Sequence, residues 1–421
     1  MSALFTRTAL ACMVALSACV AAGAVQAKAK PRKHSKVVPD KAPDVVIYGQ
    51  REDVMRFAAE AAARRELDVD ATRAALAQAK YIPSVARLIM PPPAGTAKNW
   101  GAYRSRFVEP VRLKAGAAFW SANEAWLRLA EERYGVPPEI IVGIVGVETI
   151  YGQQMGSFRI IDALATLSFD FPAGRKDRSA FFRDELENYL LLCRQQGVDP
   201  LSWRGSYAGA IGMPQFMPSS ILAHAVDFDG DGHIDLHNNP ADVIGSVAHF
   251  LSNHGWQRGM PTRYDVSVPV DTAQRALLLA PDILPSFTPQ EFAGHGAVLD
   301  ESGKAHPGKL ALVELQNGDA APTYVAGTEN FYAITRYNWS SYYALAVISL
   351  GEAIKRQRPP LASEPVPAPA LPASAPMAAD PVAAVPAQSP ASAPEPAASA
   401  APASLPASGV APMPPAEPAS R

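Results

Sequence analysis

Cysteine is nearly absent. The 421-residue chain has three, Cys12, Cys19 and Cys193. The first two lie in an N-terminal leader, so no disulfide framework holds the fold. Cys193 falls in a helical stretch around Leu190 to Arg194 and reads as a small buried hydrophobe. An excess of either charge is also missing, the net charge being −2. A main partner of nucleic acid would favour a basic face, so none is expected. The sequence has no HExxH, Walker loop, paired CxxC or GxSxG elbow. Zinc hydrolysis, nucleotide chemistry and serine hydrolysis therefore lack support. No internal repeat is present.

Most informative is the stretch Gly135 to Gly152, GVPPEIIVGIVGVETIYG. Pro137 and Pro138 suit a first helical turn, where a missing N–H loses nothing. Ile140, Ile141, Val142, Ile144, Val145 and Val147 then leave almost no polar face, and such a helix is usually buried. Glu148 is the one carboxylate within this apolar run. Burial should raise its pKa unless a cation pairs with it, and a protonated acid in a cleft can serve as a general acid. The competing reading is a carboxylate at the wet end of the helix or paired with an Arg.

The ends of the chain differ from its middle. Arg7 followed by the small, apolar run Thr8 to Val25 resembles an export signal over residues 1–27. Leu16-Ser17-Ala18-Cys19 offers a lipobox with lipid on Cys19. Val25-Gln26-Ala27 offers ordinary cleavage instead, and an uncleaved anchor is a third reading. All three place the folded part outside the cytoplasm. Residues 28–50 read as a linker, its run KAKPRKHSK able to meet anionic headgroups. Residues 359–421 hold 18 Pro and 21 Ala, a composition that predicts a disordered, partly polyproline tail. Such a tail spans distance or touches a partner, or has no fixed role.

Between the ends the chain is expected to be α+β and mainly α. Residues 51–110 form an N-terminal helical region. Helices are predicted at about Arg112 to Tyr134, ended by Gly135, then at the Glu148 stretch, Asp162 to Phe171, Ala180 to Gln196 and Asp242 to His254. Residues 262–331 alternate in strand fashion between turn residues and read as a small, mostly β insertion. Helix resumes from Tyr332 to Lys355.

Three further segments carry chemistry. Asp227, Asp229 and Asp231, with Gly232 at position six and Ile234 at position eight, match the start of an EF-hand loop. His233 would add its backbone carbonyl. Position twelve is Asn238, so Asp242 must close the site through a longer loop. Calcium bound there would be structural. Ser206 to Ser219 (SYAGAIGMPQFMPS) lets backbone approach a ligand closely, with Ser206 and Gln215 as polar groups. Tyr337 to Tyr343 (YNWSSYY) suits stacking on and hydrogen bonding to sugars, although Tyr342 is read as packing inside.

In this order, these stretches resemble the membrane-bound lytic murein transglycosylase B family, glycoside hydrolase family 103. DALATLSFDFP and FYAITRYNWSSYYALAV add to the likeness, which runs from about Tyr103 to Glu352. The resemblance implies a lysozyme-like core over 111–261 closed by 332–358, an EF-hand-like calcium loop, and no organic cofactor. It implies Glu148 as sole catalytic acid/base, and Tyr103, Ser206, Gln215, Asn338, Tyr343 and, less directly, Arg178 as substrate-binding residues. Asp227, Asp229, Asp231, the His233 carbonyl and Asp242 would hold Ca2+. The implied reaction cleaves the β-1,4 bond between N-acetylmuramic acid and N-acetylglucosamine in peptidoglycan, leaving a 1,6-anhydromuramoyl end. A hydrolytic muramidase and a non-catalytic peptidoglycan-binding scaffold are the alternatives. The expected partners are glycan strands and, through the tail, cell-wall synthesis or division proteins. The expected place is the periplasm, with anchoring at the outer membrane if Cys19 carries lipid.

Overall fold

The computed structural model describes residues 48–91 and 98–358. The leader with Cys19, the basic run and the Pro/Ala tail lie outside the described residues.

Helices Glu52–Arg65 and Val69–Ala77 open the fold. The first has acids in its first turn and Arg64 and Arg65 in its last, which suits the helix dipole. Those arginines reach buried Glu187 at 2.9 and 2.8 Å, docking this region on helix Ser179–Gln196. Asp162, on helix Ile160–Phe169, takes the Lys80 N–H and the Arg159 guanidinium, which fixes the chain leaving the region.

The long helix predicted over Arg112 to Tyr134 is two, Pro110–Ala122 and Glu124–Tyr134. Asn123 interrupts them, its side-chain amide turned back onto the Phe119 carbonyl at 2.8 Å. Side-chain competition of this kind breaks helices without altering their apolar period. Gly135 ends the second in the left-handed region, as expected.

The Glu148 helix, Pro138–Thr149, lies at the centre of the core. It crosses the closing helix Ser341–Gln357 almost backbone to backbone. A Cβ at Gly143 would stand 2.4 Å from the Val347 carbonyl oxygen, and one at Gly351 would stand 1.9 Å from that of Glu139. We expect Gly351→Ala to lower stability by about 2–3 kcal/mol, since main chain must move and overpacking costs that much. Urea unfolding checks it.

The stretch from Tyr332 to Lys355 is also divided, into Glu329–Tyr337 and Ser341–Gln357. Ser340 caps the second helix by accepting the Tyr343 N–H. That break turns Asn338 and Trp339 out of helical register.

The insertion is less purely β than its pattern suggests. Strands Arg263–Tyr264, Ala320–Gly327 and Ala311–Asn317 form an antiparallel sheet in that order, and Val266–Ser267 pairs with Val298–Leu299. Three short helices, Thr272–Leu279, Pro289–Gly294 and Glu301–Lys304, pack with them around Leu278, Phe292, Leu299 and Leu310. Alternation at Arg263 to Val270 reflects two separate two-residue strands rather than one. Both ends of the insertion are stitched to the core. Thr328 bonds the Pro261 carbonyl, and the Asn330 amide bonds those of Gln257 and Met260.

Candidate active site

Glu148 is the next-to-last residue of its helix, and the chain turns sharply after it. Ile150, Tyr151 and Gly152 all have positive φ, at 51°, 56° and 87°. Two non-glycine residues in that region cost roughly 1–2 kcal/mol each, so the turn must be held. Buried Thr149 holds it by donating to the Met213 carbonyl at 2.9 Å and accepting the Gly152 N–H. The Tyr151 ring stacks on Phe119, and its hydroxyl end fills space that only glycine leaves at positions 116 and 146. Met213 N–H in turn donates to the Leu236 carbonyl. Helix end, Gly-rich loop and acidic loop are thus joined by consecutive hydrogen bonds.

The Glu148 side chain keeps an exposed edge, while protein packs densely around the rest. Burial pushes its pKa up to about 7. A hydrogen bond donated by the Tyr343 hydroxyl to Oε1, at 2.6 Å, opposes that rise. No other carboxylate contributes to the shift.

Tyr343 corrects its expected place. Its ring is buried, behind the acid rather than along an open sugar face. It lies nearly parallel to Tyr337, whose own hydroxyl bonds the Pro214 carbonyl. Tyr342 packs against the core, as expected, with part of its ring left open. It is partly buried, edge-on to Trp100 and Tyr103, and its hydroxyl takes the Gln316 N–H at 2.7 Å. The insertion thereby abuts the aromatic wall. Tyr103 is part of that wall, its pKa raised to about 12 by burial and by the charge of Glu148. Trp100 was missed from sequence; only a contact across the fold distinguishes it from a core aromatic.

Because the Tyr343 bond favours ionised Glu148, its loss should raise the acid's pKa further. In Tyr343→Phe, the alkaline limb of kcat/KM should move to higher pH, with kcat about tenfold lower. A pH–rate profile checks both.

Ser206 and Gln215 shape the Gly-rich loop. Ser206 Oγ accepts the N–H groups of Ala208 and Ala210. Gln215, at φ 52°, donates its amide to Gly212 and Met155 carbonyls, so its own oxygen remains for a ligand. Asn338 follows the Glu329–Tyr337 helix and is partly exposed. Arg178 lies just before helix Ser179–Gln196, its guanidinium over Phe181. No contact among the described residues brings Arg178 to Glu148.

In the acidic loop, carboxylate oxygens of Asp227, Asp229 and Asp242 lie within 4.8 Å of one another. The extra residue before Asp242 does not displace it. Asp242 is fully buried, accepting the Phe228 and Asp235 N–H groups at 2.8 Å, and burial raises its pKa to about 6. Asp231 does not join this convergent group. It is exposed and accepts the His233 N–H instead, so three of the four expected carboxylates converge. Such crowded acids fit a hard divalent cation with oxygen ligands.

A buried helix delivers one elevated carboxyl group beside a cluster of aromatic rings, an arrangement suited to acid–base chemistry on a sugar polymer. Residues 49–352 match the transglycosylase SLT domain family. Membrane-bound lytic murein transglycosylase B of Escherichia coli K12 is 43% identical over 291 residues, covering 67% of this chain and 77% of that one. The Escherichia coli lytic transglycosylase Slt35, solved in complex with calcium, is 39% identical with a TM-score of 0.63. That alignment covers 73% of this chain and 94% of Slt35. SltB3 from Pseudomonas aeruginosa, solved with NAG-anhNAM-pentapeptide, is 29% identical with a TM-score of 0.59. It covers 71% and 78% of the two chains. The chain belongs to the transglycosylase SLT family of lytic murein transglycosylases, which cleave peptidoglycan.

Proposed function

We propose that Glu148 alone carries the reaction, as acid and then base. As acid it protonates the oxygen of the β-1,4 bond between N-acetylmuramic acid and N-acetylglucosamine. The muramoyl N-acetyl group supports the oxocarbenium-like centre. As base, Glu148 then takes the proton of the same sugar's 6-hydroxyl, which closes a 1,6-anhydro ring and returns the proton to the carboxyl group. An intramolecular nucleophile gains from proximity. The observation that carries this is the acid's pKa of about 7 with no second carboxylate behind it. Two-carboxylate glycosidases place their pair about 5–9.5 Å apart. The anhydro sugar held by SltB3 supports the same product.

Tyr343 orients the acid. Tyr103, Asn338, Ser206 and Gln215 contact sugar, and Arg178 is an outlying candidate. Asp227, Asp229 and Asp242 hold a structural Ca2+, a reading supported by the calcium complex of Slt35. Bound there, the ion neutralises the crowded carboxylates.

The leader delivers the chain to the periplasm, by cleavage after Ala27 or with lipid on Cys19. The name of the Escherichia coli relative supports a membrane-associated place. No described helix is long and apolar enough to cross a membrane.

Mass spectrometry of digested sacculi tests the chemistry. Anhydro-muropeptides from wild type, and none from Glu148→Gln, are the expected result. Reducing muramic ends would establish hydrolysis instead, and unchanged function in Glu148→Gln would establish a scaffold.

A further inference from the structure

Apart from the cleft, a cavity of about 550 Å³ opens between the end of helix Ser179–Gln196, strand Arg204–Gly205 and the far half of the acidic loop. Its volume is that of a small-ligand site, about 300–1,000 Å³. Neither Glu148 nor any of the proposed sugar-contacting residues lines it. It nonetheless adjoins the cleft, because its Met155 carbonyl accepts the Gln215 amide. We infer that this cavity is a second, non-catalytic site that holds an N-acetylated sugar of a glycan strand. It rests on the reading of a glycan-cleaving enzyme only for the choice of polymer.

The lining has the composition such a sugar needs. Trp203 offers a partly exposed indole, set against His237 at 5.3 Å between ring centres. Val198 and Ile234, both partly exposed, supply apolar surface for an acetamido methyl group. Among the described residues, Gln196, Asn238 Oδ1 and the Trp203 indole N–H have no hydrogen-bond partner, so they are open to hydroxyl and amide groups. By contrast, Asp235 is largely satisfied within its own loop. It accepts the N–H groups of His237 and Asn238 and the Asn238 amide, which lowers its pKa. Arg204 uses one arm on the Ser157 carbonyl and balances that charge. A cavity with one cation, one satisfied anion and several neutral donors and acceptors selects a neutral ligand. A charged stem peptide would find no net field to hold it.

The consequence is retention. A strand held here and in the cleft is bound at two points, which raises its effective concentration at Glu148 without new catalytic groups.

The test uses the full chain carrying Glu148→Gln, with 15N-labelled tryptophan, titrated with chitotetraose. Trp203 and Trp100 report the cavity and the cleft separately. The Trp203 indole N–H should shift saturably. Adding Gln196→Ala should weaken that response about fivefold, the loss of one hydrogen bond, with the Trp100 response unchanged. In the active enzyme, Gln196→Ala should lower turnover of insoluble sacculi relative to a soluble oligosaccharide. An unmoved Trp203 overturns the inference, whether or not Trp100 moves. So does a Trp203 response to a free stem pentapeptide and not to the sugar. Loss of the Trp100 response with Trp203 retained would count against the cleft reading instead.

Discussion

Glu148→Gln should abolish lysis and at the same time make the protein more stable at neutral pH. The first effect is the larger. One group serves both proton transfers, and general acid–base steps are worth about 10²–10⁴-fold each. Turnover of sacculi should therefore fall by at least about a thousandfold. Gln keeps the volume and still accepts the Tyr343 hydroxyl, so folding is not the cause. The second effect follows from the raised pKa, about 7 against an ordinary 4.5. Between those values the folded chain binds a proton that the unfolded chain has released. Folded stability declines as pH rises through that window, and the loss is complete above about pH 7. Discounted for the exposed edge of Glu148, the loss is about 2 kcal/mol. Glu148→Gln removes the titration. Its advantage in urea unfolding should be full at pH 8 and vanish towards pH 4.5. In the wild type, kcat/KM should fall as pH rises through about 7, because the resting acid loses its proton. An unchanged stability at pH 8, or an acid titrating near 4.5, would sink the account.

Chelation should produce the next largest change, and in stability rather than chemistry. An ion bound only by the folded chain adds about 3–4 kcal/mol at 100–1,000 times its dissociation constant. For a chain of this size that corresponds to a midpoint shift of roughly 5–10 °C. Calorimetry with calcium and with chelator should show it. Asp242→Asn should remove the calcium response and lower the midpoint itself, because Asp242 also accepts two backbone N–H groups within the loop. Asp231→Asn should retain the response, since Asp231 lies outside the convergent carboxylates. An equal loss in both variants would make Asp231 a ligand as well. Activity should follow stability in this series, because the Leu236–Met213–Thr149 hydrogen bonds join the loop to the turn after Glu148.

Local chemistry made part of this site legible. Proline at the start, glycine at the preceding cap and six aliphatic residues are sufficient to specify a buried helix that carries Glu148. Alternating acids with Gly232 are sufficient to specify a tight acidic turn. Helix interruptions at Asn123 and Ser340 were not legible as such. Each preserves the apolar period across the break, and each depends on a side chain bonding to nearby backbone. The insertion's short helices were hidden for a related reason, their few residues being too short to show a period.

By itself the sequence determined which carboxylate stands in apolar surroundings, where the acidic loop begins, and the family that this order of segments resembles. Those are properties of neighbours along the chain, set by propensity and periodicity. Only the tertiary structure decided which groups meet. Tyr343 bonds Glu148 from 195 positions away. Asp242 joins Asp227 and Asp229 despite the longer loop, and Asp231 does not. The reason is physical: the pKa of Glu148 and the choice of ligands depend on desolvation and on distances of a few ångströms. Both are fixed when helices close on one another, here through Gly143 and Gly351.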